Sequence, residues 1–129
     1  MSRPDNIKYT ATHEWVRVEG DIAVVGITDH AVEELSDLAF IDLPEKGSVA
    51  EKNVRFGEIE STKAVSDLIS PVTGEIVEVN AQLTDHLEMI SSSPFDQGWM
   101  IRVRMSNPAE LDSLLTAEEY EGVLAAEKD

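Results

Sequence analysis

Two β-type runs, about Val54 to Ser61 and about Val65 to Ser70, are separated only by Thr62-Lys63-Ala64, and this pair constrains the fold more than any other feature. A connection of three residues joins antiparallel strands, because a parallel crossover takes about a dozen residues or more. Lys63 therefore sits at a hairpin tip, its side chain presented to solvent from a rigid base. Gly57, where the apolar alternation changes phase, is read as a bulge. Pro71-Val72-Thr73-Gly74 then turns the chain into a further run, Glu75 to Val79.

The rest of the chain extends the same pattern. His13 to Glu19 and Asp21 to Ile27 flank Glu19-Gly20-Asp21, a hairpin signal. In the first run Trp15 and His13 share one face, and Glu14, Val16 and Val18 the other. Thr28 caps a short helix through about Ser36, with Ala31, Val32 and Leu35 as its apolar stripe. Leu38 to Leu43 is another strand, closed by Pro44-Glu45-Lys46-Gly47. Asp85-His86-Leu87-Glu88 opens a helical stretch. Trp99, Ile101, Val103 and Met105 alternate with Met100, Arg102 and Arg104, the signature of a half-buried strand.

Pro44-x-x-Gly47 and Pro71-x-x-Gly74, each followed by a β-type run, form a weak internal repeat. Such a repeat corresponds to two similar half-sheets folded on each other, with Lys63 on the connection. The tail changes character. Asn107-Pro108 with Glu110 starts a helix, and Thr116 with Glu119 forms a capping box before Tyr120, Val123 and Leu124. One helix with a break, or two short ones, is expected there, packed on the strands. The whole reads as a mainly β fold with a short internal helix and C-terminal helices.

At 129 residues the chain fits one domain, 1–129, and folding at this size buries roughly two-thirds of the extended-chain surface. With 26 acidic and 10 basic residues its net charge is −16. That balance argues against nucleic acid and against anionic membranes, both of which are bound through Lys and Arg. It suits solubility and docking on basic rims of larger partners. There are no cysteines, so disulfides, thiolate zinc sites and a cysteine nucleophile are ruled out. Met1-Ser2-Arg3-Pro4-Asp5 resembles neither a signal nor a transit peptide, and the apolar runs are too short to span a bilayer. A cytoplasmic protein is expected.

Enzyme chemistry finds little support. The three histidines, His13, His30 and His86, are far apart in sequence and none lies in an H-x-x-x-H or H-E-x-x-H setting. No metal site is expected. No phosphate-cradling glycine loop and no G-x-S-x-G elbow occurs, so no catalytic residue is assigned.

Residues 57–74, G-E-I-E-S-T-K-A-V-S-D-L-I-S-P-V-T-G, resemble the biotinyl/lipoyl attachment pattern. Biotin carriers usually place Met on both sides of the modified lysine, whereas Thr62 and Ala64 stand here, which favours lipoate. The flanks narrow the resemblance. Y-T-A-T-H-E-W at 9–15, G-I-T-D-H-A at 26–31, L-A-F-I-D-L-P at 38–44, G-W-M-I-R-V at 98–103 and L-D-S-L-L-T-A-E-E-Y at 111–120 are all similar to the glycine cleavage H-protein family.

That resemblance implies a barrel-sandwich hybrid of two small sheets, with a lipoyl-binding core at about 22–104 and a helical tail at about 107–126. It implies a carrier rather than a catalyst, with lipoate joined covalently to Lys63. The arm takes an aminomethyl group from a pyridoxal-phosphate glycine decarboxylase (the P protein) and delivers it to an aminomethyltransferase (the T protein). A dihydrolipoyl dehydrogenase (the L protein) reoxidises the dithiol, and lipoate-attaching enzymes modify the lysine. By the same resemblance the loaded arm folds back onto the carrier at positions matching Thr12, Glu14 and Asp67. The same lysine serves an H-like protein that donates lipoyl or octanoyl groups to other enzymes, and the sequence leaves that role open beside the first.

Overall fold

The computed structural model describes residues 3–127, so residues 1, 2, 128 and 129 of the expected unit lie outside the described residues. Nine strands occur within this range: β1 (Lys8–Tyr9), β2 (Glu14–Glu19), β3 (Ile22–Ile27), β4 (Leu38–Asp42), β5 (Val49–Ala50), β6 (Arg55–Ser61), β7 (Val65–Ile69), β8 (Gly74–Val79) and β9 (Ile101–Met105). They form two antiparallel sheets, ordered β1-β2-β3-β9-β8-β5 and β4-β6-β7. Three helices accompany them: α1 (Asp29–Leu35), α2 (Glu88–Ser92) and α3 (Ala117–Glu127), with 3-10 turns at Ala81–Thr84 and Pro108–Ser113. The architecture is mainly β, as the alternating runs predict, with the two sheets that the family resemblance implies.

The two Pro-x-x-Gly segments do equivalent work. The first carries the chain from β4 in the small sheet to β5 in the large one, and the second carries it from β7 to β8. β5 and β8 then pair antiparallel, Val49 opposite Glu75 and Ala50 opposite Gly74. The bulge falls as expected between Arg55 and Gly57. Only glycine fits there, because a Cβ at Gly57 would collide with the Asp42 carbonyl oxygen of the neighbouring β4.

Three apolar clusters hold these layers. Val16, Val25, Ile76, Ile101 and Val103 line the large sheet. Ile27, Ile41, Ile59, Leu68, Leu83, Ile90 and Met100 fill the space against α1 and α2. Tyr9, Trp15, Val24, Tyr120 and Leu124 join the tail to β2 and β3. Each fully buried aliphatic side chain contributes about 1.5–3 kcal/mol. Because β2 is covered on both sides, Trp15 and Val16 are both buried, and simple one-sided alternation fails there.

Two expectations need correction. Met100, assigned to the exposed face with Arg102 and Arg104, is fully buried, while Trp99 is only half-buried. The strand begins at Ile101, and the residue before it turns into the cluster under α2. Glu110 does not cap the turn it begins. Its carboxylate instead accepts from the Thr73 amide at 2.7 Å and the Thr73 hydroxyl at 2.8 Å. The tail consists of two short pieces: the 3-10 turn and α3. Leu114 lies past that turn in extended conformation, and Leu115 pairs with Tyr9. The second capping box is present, with the Glu119 carboxylate accepting from Thr116 N and the Thr116 hydroxyl accepting from Glu119 N.

Candidate functional site

The β6–β7 hairpin carries Lys63 at its exposed tip. Its turn is braced from below by Ser61. The Ser61 amide donates to the Ala64 carbonyl at 2.8 Å, and the Ser61 hydroxyl accepts from the Ala64 amide at 3.0 Å and the Lys63 amide at 3.3 Å. Thr62 N–H donates to the Asp37 carbonyl at 3.0 Å, tying the turn to the segment after α1. These hydrogen bonds all fix backbone. Among the described residues no ion pair or side-chain hydrogen bond holds the Lys63 ammonium. A rigid base with a free amine is what covalent attachment of a long arm requires.

Beside the hairpin lies a cleft of about 380 Å³, bounded by Thr12 and His13, by Glu34 and Leu35 of α1, and by Val65 and Ser66 of β7. A second, of about 340 Å³, includes Asp37, whose carbonyl anchors the turn, with Leu87 and Glu88. Of the expected docking set, only Thr12 lines the first cleft, and its hydroxyl donates to Glu14 Oε1. Glu14 itself is buried, 1% exposed, and is not part of the cleft lining; it accepts also from the Thr10 hydroxyl at 2.8 Å and from Ile69 N at 3.3 Å. Asp67 is held elsewhere. Its carboxylate pairs with Arg55 at 3.1 Å on the exposed surface of the hairpin, and Arg55 also reaches Glu58.

Burial governs the chemistry of Glu14. Desolvation pushes its pKa up from 4.5 to about 7, and the hydrogen bonds from Thr12, Thr10 and Ile69 N oppose that rise. A surface glutamate is ionised at neutral pH; burial moves this one toward its neutral form. A cation brought against its carboxylate would draw it to the charged form.

His13, the neighbour of Glu14, has a left-handed backbone at φ 74°, a conformation that costs a non-glycine residue free energy. It faces His30, the ring centroids 4.7 Å apart. Two histidines that are distant in sequence are therefore adjacent in space, together with Glu34 and Glu127. Only the His30–Glu34 spacing of one helical turn hinted at this; nothing local announced His13 or Glu127. Burial is the main cause holding the His13 pKa below its ordinary value, against the opposing pull of Glu127.

A family model described as glycine cleavage H-protein matches residues 7–127. The chain belongs to the glycine cleavage H-protein family. It is 54% identical over 116 residues to the mitochondrial glycine cleavage system H protein of Flaveria pubescens, covering 90% of this chain and 76% of that one. It is 48% identical over 126 residues to the glycine cleavage system H protein of Bacteroides fragilis, covering 98% of this chain and 100% of the relative. The crystal structure of a glycine cleavage system H protein from Mycobacterium marinum superposes with a TM-score of 0.88 at 43% identity, covering 95% and 99% of the two chains. An H-protein fold and a role in the glycine cleavage system follow. Among the described residues no helix is long and apolar enough to cross a membrane.

Proposed function

We propose that the chain is the lipoyl carrier of the glycine cleavage system, a non-catalytic cytoplasmic subunit with lipoate in amide linkage to Nζ of Lys63. One observation carries the reading: an exposed, unpaired lysine stands on a braced hairpin tip beside a cleft. The attached dithiolane supplies both a transfer handle and a redox couple. The protein itself supplies presentation. Ser61 and the Asp37 carbonyl keep the turn in one shape for the lipoate-attaching enzymes, and its protrusion lets the arm reach the active sites of three larger enzymes. Those are the glycine decarboxylase, which loads the aminomethyl group, the aminomethyltransferase, which removes it, and the dihydrolipoyl dehydrogenase, which restores the disulfide.

Thr12, Glu14 and Asp67 complete the proposal as the docking set for the loaded arm. Thr12, on the cleft wall, is hydrogen-bonded to the buried Glu14, whose carboxylate suits an ammonium group. Asp67 serves only by exchanging its Arg55 partner. The carrier unit runs over 1–129, with its core at about 22–104 and its tail at about 107–126. Intact-protein mass spectrometry of chains from the native source tests the assignment. A lipoyl increment that peptide mapping localises to Lys63 is the expected result; a biotinyl increment, or modification elsewhere, overturns it.

A further inference from the structure

We propose that His13, His30, Glu34 and Glu127 bind one divalent transition-metal ion, zinc by ligand chemistry, at the rim of the cleft beside the Lys63 hairpin. The four residues come from three places: the segment before β2, helix α1, and the last residue of α3. Their candidate ligand atoms all lie within 4.8 Å of one another. His13 Nε2 is 3.2 Å from Glu127 Oε2, and His30 Nε2 is 3.3 Å from Glu34 Oε1 and 3.6 Å from Glu127 Oε1. A tetrahedral site with metal–ligand bonds of about 2.0–2.1 Å has ligand–ligand edges of roughly 3.3–3.4 Å. These three separations are close to those edges, and the remaining pairs lie within 4.8 Å.

The donors also fit one class of metal. Two imidazoles and two carboxylates suit zinc and its neighbours, while calcium and magnesium prefer shells of six or more oxygens. Two carboxylate charges balance a dication. His30 Nε2 is buried and hydrogen-bonds to neither carboxylate despite the short distances, so the atom is placed for a ligand role and lacks a hydrogen-bonding one.

The outer contacts orient His13. Its Nδ1 lies 2.7 Å from the Tyr120 hydroxyl, which in turn lies 2.7 Å from the Thr28 hydroxyl. With Nδ1–H donating to Tyr120 and Tyr120 donating to Thr28, the Nε2 lone pair is left facing Glu127. Metal-bound histidines characteristically donate their second nitrogen in this way. An ion here would fasten α3 to α1 and to the segment that forms one wall of the cleft. The site is independent of what Lys63 carries.

The test uses the full chain with Lys63 unmodified, because a reduced lipoyl dithiol would itself take zinc. No cysteine competes. Calorimetric titration with zinc is expected to give one equivalent, with a melting temperature that climbs as zinc is raised and stays still in magnesium. His30→Gln and Glu127→Gln should each weaken binding about tenfold or more, with circular dichroism unchanged. His86→Gln, outside the cluster, should bind like the parent. Cobalt(II) should give the intense visible bands of a four-coordinate site in the parent and lose them in His30→Gln. No saturable zinc binding, or one-equivalent binding that survives both cluster substitutions in folded protein, overturns the proposal.

Discussion

The Tyr120 hydroxyl lies 2.7 Å from the hydroxyl of Thr28, the residue that caps α1. The same oxygen meets His13 Nδ1, and the Tyr120 ring stacks on Tyr9 with centroids 4.9 Å apart. One side chain of the last helix thus ties together β1, the α1 cap and the wall of the cleft. Tyr120→Phe keeps the ring and removes the shared hydroxyl from a buried site. Leaving such groups unpaired costs about 1–3 kcal/mol. Urea unfolding should show the free energy of unfolding falling by that amount, seen as a lower midpoint with the slope unchanged. An unaltered midpoint would mean that solvent replaces the hydroxyl.

Lys63→Arg separates carrier function from folding. The position is exposed, and its side chain makes no contact that folding uses. Stability should stay within about 0.5 kcal/mol of the parent, while glycine decarboxylation coupled to this protein falls to background. Both are measured on one preparation. Residual coupled activity would place the arm on another residue.

Glu14 should leave a mark on the pH dependence of stability. Its folded pKa, about 7, is raised above the ordinary 4.5. Its contribution is therefore fully present below pH 4.5 and is lost as pH rises through 7. Glu14→Gln stays neutral throughout; its single carbonyl oxygen can accept from Ile69 N while its amide nitrogen donates to the Thr10 and Thr12 hydroxyls. The variant should gain on the parent by roughly 2 kcal/mol between pH 5 and pH 8, from a shift of this size at 1.36 kcal/mol per pKa unit. A difference that does not change with pH would show that Glu14 titrates normally.

The same substitution tests arm docking. If Glu14 holds the ammonium of the loaded arm, Glu14→Gln should still accept lipoate and still be loaded, but should release formaldehyde and ammonia faster when isolated without the aminomethyltransferase. Losing one partner of a buried charge pair costs about 3–5 kcal/mol, against 0–1 kcal/mol for an exposed one, so the acceleration also reports how far the arm is buried. Equal lifetimes would remove Glu14 from the docking set.

The net charge of −16 predicts salt-sensitive encounters. Exposed charges are screened beyond about 8 Å near physiological ionic strength, so steering onto basic partner surfaces weakens as salt rises. The apparent KM for this protein as substrate of a glycine decarboxylase should increase steadily along a salt series. A flat series would reduce the charge to a solubility device.

What could be read from the sequence was whatever neighbours along the chain decide. The hairpin at Lys63, the bulge at Gly57, the Thr28 cap and the Thr116–Glu119 box all depend on residues a few positions apart, and each formed where local rules put it. The attachment motif and the flanks matching the H-protein family are likewise local strings. Tertiary structure decided everything that depends on which surfaces meet. Met100 was misassigned because alternation describes a strand, and the residue preceding one answers to the cluster it enters. Glu110 had the spacing of a capping residue, yet Thr73, 37 positions away, took its carboxylate. The weakened acidity of Glu14 comes from burial that no spacing encodes. His13 and Glu127, 114 residues apart (127 − 13), stand 3.2 Å from each other only because Tyr9 and Trp15 bury the inner face of α3 against the sheet. Hydrophobic contact is non-directional, so sequence marks which faces will be buried, and only the packed fold determines which polar groups those faces carry together.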